Sequence, residues 1–182
     1  PVELLAGQTR FGFEGITAIG EGDDMTLWMA VQREWGDDEK GTVKLVSYNP
    51  KSKEWGAVRY PLDKSDNGWV GLSEITAHGD HVYIVERDNQ IGDAAKIKKL
   101  YRVAIADLKP AKIGEALPLV TKEEVHDFLP DLKAATNGYV VDKLEGFTFD
   151  AEGKAYAVTD NDGVDDSSGE TLFFPVELKG TN

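Results

Sequence analysis

The sequence predicts an all-β protein, a β-propeller of about three four-stranded meander blades with one short helix in an inter-blade loop. Three observations lead there. A six-residue pattern, apolar-(Glu/Ser)-(Gly/Glu)-apolar-Thr-apolar, occurs three times, as FEGITA at 13–18, LSEITA at 72–77 and LEGFTF at 144–149. Each copy is followed by a polar turn and a second apolar run, which is the signature of a hairpin. Third and fourth strand-like runs then follow, so the unit is a sheet repeated in tandem, with starts near 12, 71 and 143.

In chain order, residues 2–5 form an outer strand. The first blade continues from its motif through MTLWMAVQRE, VKLVSYNP at 43–50 and WGAVRYPL at 55–62. The second continues through VYIVERD, KLYRVAIADL at 99–108 and KIGEALPL at 112–119. Residues 121–129, opening on Thr121 with Glu123 and Glu124 in the first turn, carry the start signals of a helix in the longer second spacer. The third blade has AYAVTDND and TLFFPVEL at 171–178, and lacks a fourth strand.

Three blades cannot close a ring that needs four to eight, so residues 1–182 read as one domain that is about half of a propeller. The missing blades come from residues absent here or from a second copy of the chain. The alternative is a self-contained β-sandwich of about eleven strands. The chain begins with Pro, which leads us to expect a processed product or a piece of something longer.

Composition removes several function classes. Lys and Arg total 20 against 33 Asp and Glu, and the net charge of -13 repels nucleic acid and anionic membranes. No apolar run reaches the roughly 18 residues of a membrane helix, so no membrane span is expected. Cys is absent, which excludes disulfides and thiolate chemistry. Gly20-Glu21-Gly22 lacks the third Gly and the strand-to-helix context of a dinucleotide loop, so nucleotide cofactors are not indicated.

In a propeller the first strand of each blade lines the axis, which places Glu14, Glu74 and Glu145 there. Gathered carboxylates repel unless a cation intervenes, and calcium, which takes six to eight oxygens in flexible geometry, is the expected one. Glu86, Asp88, Asp160 and Asp162, where the second strands turn polar, are further candidate ligands. The bland reading of each acid is a solvated or Arg-paired residue. Glu74 sits one position later than Glu14 and Glu145, which puts it on the opposite strand face unless the backbone bulges. Aligning Val31-Gln32-Arg33-Glu34 with Val85-Glu86-Arg87-Asp88 gives Arg33 and Arg87 one repeat position, from which a guanidinium can hold phosphate bidentately or pair with a carboxylate. Candidate catalytic residues are therefore Glu145, Glu14, Arg87 and Arg33. The acidic loop 160–170 departs from the EF-hand spacing, because Gly163 follows the second acid directly, and Ser167, Ser168 and Thr171 have no His nearby in sequence. His78, His81 and His126 are placed for turn and surface roles.

The Glu-Gly starts, the strand end Val85-Glu86-Arg87-Asp88, and Lys143-Leu144-Glu145-Gly146-Phe147 followed by 159–171 together resemble the phytase-like, "esterase-like activity of phytase" family of bacterial β-propellers. The resemblance spans nearly the whole chain and fits the C-terminal portion of proteins about twice as long. It implies export to the periplasm or medium, and hydrolysis of a small phosphate ester by kinship with calcium-dependent propeller phytases. Fold kinship alone does not assign an activity. The rival function is a non-catalytic, calcium-stabilised propeller that binds a protein or small ligand.

Overall fold

The computed structural model describes residues 1–161 and 171–178. Among them are strands β1 (Phe13–Ile19), β2 (Thr26–Val31), β3 (Thr42–Tyr48), β4 (Trp55–Pro61), β5 (Val70–His78), β6 (His81–Asp88), β7 (Lys98–Ala104), β8 (Ala111–Lys112), β9 (Glu123–Asp127), β10 (Leu144–Phe149), β11 (Ala155–Thr159) and β12 (Phe173–Val176), with helices α1 (Val2–Gly7) and α2 (Leu129–Ala135). They build three antiparallel sheets, ordered β1-β2-β3-β4-β8, β5-β6-β7-β9 and β10-β11-β12. The chain is all-β in class. Each sheet starts at one repeat motif, and the three first strands lie side by side with β5 between β1 and β10. The sheets do not close into a ring.

The middle strands are near-continuous apolar runs because both of their faces are covered. In β2, Trp28 and Ala30 face the second sheet, while Met29 and Val31 face the opposite way, onto Leu4 of α1 and Trp35. In β6, Val82 and Ile84 pack toward the first sheet, and Tyr83 and Val85 toward Phe147, Ala157 and Val176 of the third. Ile84, Val85 and Leu45 are fully buried, each contributing about 1.5–3 kcal/mol of transfer free energy. Between sheets the backbone bonds too: Leu72 N–H donates to Gln32 O at 2.9 Å. The repeated threonines do the same. Thr17 Oγ1 accepts from Ala77 N–H at 3.0 Å and Thr76 Oγ1 donates to Phe147 O at 2.7 Å, while Thr148, the third copy, reaches only its neighbour Phe149 O at 3.5 Å.

Three expectations are corrected. Residues 2–5 belong to α1, whose buried apolar side chain is Leu4, 6% exposed against 74% for Val2 and 67% for Leu5. Of residues 112–119 only the start is strand, and β8 extends the first sheet by pairing with β4 at Gly56 and Ala57. The fourth strand of the second sheet is β9, within the segment that carried helix signals. Its acids are satisfied across the strands: Arg102 Nε donates to Glu123 and Lys99 Nζ to Glu124, both at 2.8 Å. The helix starts later, at Leu129, with Pro130 in its first turn, where a missing N–H costs nothing. The third sheet has three strands among the described residues.

Candidate functional site

A β-bulge interrupts every first hairpin. The register skips Glu14 between Phe13 and Gly15, Ser73 between Leu72 and Glu74, and Glu145 between Leu144 and Gly146. Ser73 therefore holds the bulge position that Glu14 and Glu145 hold, and Glu74 stands level with Gly15 and Gly146. The offset of Glu74 is real. It is accommodated because Gly15 has no side chain: a Cβ there would lie 2.5 Å from Glu74 Oε1 and 2.6 Å from Ile75 N. Register also corrects the second strands. Val31 stands opposite Phe13 as Glu86 stands opposite Leu72, so Arg87 corresponds to Gln32, and Arg33 to Asp88. The two arginines do not share a repeat position.

Glu14, Glu74 and Glu145 come within electrostatic range of one another. Burial pushes the Glu145 carboxyl up, Arg87 and Lys143 oppose that, and Glu14 adds to it. Burial likewise raises Glu74; the N–H groups of Ile75 and Phe147 oppose it, and Glu145 reinforces it. Glu14 is exposed, and with Glu74 it lines a shallow cleft of about 420 Å³ with Phe13, Gly15, Ile16 and Met29. Arg87, 1% exposed, donates from Nη2 to Glu145 Oε1 at 2.5 Å and from Nη1 to Asp142 Oδ1 at 3.1 Å, tying the second sheet to the third. Its Nε is buried without a hydrogen-bond partner.

Other candidates go elsewhere. Fully buried Glu86 accepts from Lys122 Nζ at 2.6 Å and from Asp63 N–H at 2.5 Å, and Asp63 in turn accepts from Tyr101 Oη and from Lys122. Asp88, also fully buried, lies 3.1 Å from Lys98 Nζ and accepts the N–H groups of Gln90, Lys96 and Ile97, which folds the following loop. Desolvation lowers the Lys98 pKa, with Asp88 and Asp142 opposing. Thus Glu86 and Asp88, read as strand-end ligands, are engaged by lysines. Asp160 is exposed, its N–H donating to Lys143 O at 2.8 Å. Asp162 and the loop with Ser167 and Ser168 lie outside the described residues. Arg33 lies in a different cleft, against Phe11 and Trp69. His78 stacks on Phe149, His81 pairs with Asp80, and His126, on β9, pairs with Asp131.

Calcium fits this donor set incompletely. Among the described residues no three or more His, Asp or Glu are grouped to hold a metal, and neither Glu14 nor Glu74 has a cationic partner. Sequence reasoning missed Asp142, Asp63, Lys122, Lys98 and Trp69. Only the placing of Asp142 directly before the third Lys-Leu-Glu-Gly start hinted at a site role.

A family model described as "Phytase-like: Esterase-like activity of phytase" matches residues 3–163, from α1 through all three repeat motifs. No curated protein and no solved structure matches the chain.

Proposed function

The chain belongs to the phytase-like family described by esterase-like activity of phytase, and from that membership we propose that it is part of an exported β-propeller hydrolase of phosphate esters, working through Glu145, Glu74 and Glu14. The observation that carries the chemistry is the convergence of these carboxylates from the first strands of three sheets. Two carboxyl groups in unlike surroundings can divide acid and base roles. Glu145, held by Arg87, takes a proton from the attacking water. As the water oxygen bonds to phosphorus and the ester P–O bond breaks, Glu74, with no cation beside it, gives its proton to the leaving oxygen. Arg87 is a positioning residue here, since its guanidinium is buried and engaged.

Calcium, which the residues present fit incompletely, would be held by Glu14 with water, leaving Glu74 free to carry its proton. When bound, it supplies polarisation of a phosphoryl oxygen. The propeller reading is supported by the side-by-side first strands and by the open ends: Phe13 and Ile16 on β1 and Phe173 on β12 are 43%, 60% and 68% exposed. Further blades, from residues beyond this chain or a second copy, would cover them. Export, to the periplasm or medium, rests on the family alone; no helix among the described residues is long and apolar enough to cross a membrane.

The test is hydrolysis of p-nitrophenyl phosphate by the intact protein across pH. A bell-shaped profile with a base and an acid limb is expected. Absence of hydrolysis in metal-replete protein would leave a ligand-binding propeller as the better reading.

A further inference from the structure

A cleft of about 740 Å³ lies between the segment after β2 and the connection from β4 to β5, with Arg33, Lys40, Lys64, Asp63, Asp66 and Trp69 among its walls. The Arg33 guanidinium rests 4.5 Å from the Phe11 ring centroid and 4.7 Å from that of Trp69, whose rings are 6.0 Å apart and tilted by 54°. That placement is built. Trp69 N–H donates to Asn89 Oδ1 at 2.9 Å, and Asn89 N–H returns to Trp69 O at 3.1 Å. Gly71 admits both side chains: a Cβ there would lie 3.0 Å from Trp69 Cζ3 and 3.3 Å from Arg33 Cγ. Burial lowers the Arg33 pKa; nearby Glu34 opposes this and Arg10 adds to it.

The guanidinium is held by ring faces alone. None of its N–H groups has a hydrogen-bonding or ion-pair partner among the described residues, and the same is true of the Lys40 and Lys64 ammonium groups. The acids of the cleft are mostly engaged. Asp63 is neutralised by Lys122 at 2.8 Å and Lys99 at 3.6 Å, and Glu34 accepts Gly41 N–H at 2.5 Å, so the charges left facing Arg33, Lys40 and Lys64 are those of Glu34 and Asp66. In a chain of net charge -13 this is a concentration of unpaired cations around a preorganised planar fork. A fork of donors with its ordering entropy already spent is suited to bidentate capture of an oxyanion.

We propose that this cleft binds a phosphate group, with Arg33 as the bidentate donor and Lys40 and Lys64 as flanking charges. The site is separate from the carboxylate cluster and needs no hydrolysis, so it goes beyond the enzymatic reading. The experiment is isothermal titration of the full chain with inorganic phosphate, and in a second arm with a non-hydrolysed phosphate monoester. Wild-type protein binds in both arms. Arg33→Gln weakens binding by about tenfold or more, and Arg33→Lys, which keeps charge but loses the fork, by several-fold. Exposed Lys64→Gln, which leaves packing intact, weakens it by about two- to fivefold. Lys154→Gln, at the exposed turn before β11, leaves binding unchanged. Binding to the monoester alone assigns the site to a substrate phosphate; binding to both assigns it to phosphate in general. No binding of either ligand at about 10 mM, or equal affinity in wild type and Arg33→Gln, overturns the proposal.

Discussion

Replacing Arg87 by Met removes the side chain that joins both Glu145 and Asp142 to the second sheet, while Lys98 still reaches Asp142 at 3.5 Å. The methionine stem keeps most of the packing and loses both charge-assisted hydrogen bonds, at 2.5 and 3.1 Å. Breaking a buried pair by deleting one partner costs about 3–5 kcal/mol, because the orphaned charge stays desolvated. Two features of this pair lower that figure. The side chains of Glu145 and Asp142 retain 22% and 28% exposure, so water relieves part of the penalty. The buried, unpartnered Arg87 Nε also disappears, and that atom alone costs about 1–3 kcal/mol. The net expectation is a loss of about 2–3 kcal/mol in urea unfolding, with an unchanged m-value. Adding Glu145→Gln to Arg87→Met should recover about 1 kcal/mol by neutralising the orphan, a non-additivity that a double-mutant cycle reads directly. Arg87→Met within about 0.5 kcal/mol of wild type, or strict additivity of the two changes, would refute the reasoning.

Glu74 has a folded-state pKa raised above its ordinary 4.5 by burial, so its protonated form favours folding; that contribution is full below pH 4.5 and is lost as pH rises through the folded value. Glu74→Gln should therefore be more stable than wild type at pH 7, with a gap that shrinks toward pH 4; a pH-independent gap contradicts this. Thr76→Val removes the inter-sheet bond to Phe147 O and should cost about 1 kcal/mol, whereas Thr148→Val should be nearly neutral in this chain and cost a similar amount in the intact protein, where a further blade would face it. Equal effects of Thr148→Val in both settings would count against the propeller. Millimolar calcium against EDTA should raise the Tm of wild type as RT ln(1 + [L]/Kd) and leave a Glu14→Gln, Glu74→Gln double variant unmoved; no shift in wild type removes the metal.

Hairpins were legible because a period-two motif, a turn and a buried run recur within about twenty residues, and local signals suffice for that. The strands of the third sheet were legible for the same reason. Glu123 and Glu124 misled because acids after Thr121 mimic a helix start, while Lys99 and Arg102, the cations that hold them in a strand, lie more than twenty residues upstream. At the site, the repeated position of Glu14 and Glu145 was visible, and their approach to Glu74 follows from the side-by-side placement of the three first strands. The register was not legible: matching Val31 with Val85 at the step from apolar to polar slid the first hairpin by one residue and equated Arg33 with Arg87, although the same bulge interrupts all three first strands. Whether an acid is free or ion-paired was illegible in principle. Glu86 meets Lys122, Asp88 meets Lys98, and Arg87 meets Asp142 only after the loops between them fold.

The most direct test of the carboxylate site is kcat of the intact protein on p-nitrophenyl phosphate for wild type, Glu145→Gln and Lys154→Gln, the last at the exposed turn before β11. With melting temperatures matched, Glu145→Gln is expected to lose about 10²-fold or more in kcat and Lys154→Gln nothing. Equal activity in wild type and Glu145→Gln, or an equal loss in both variants, would contradict a catalytic role for Glu145.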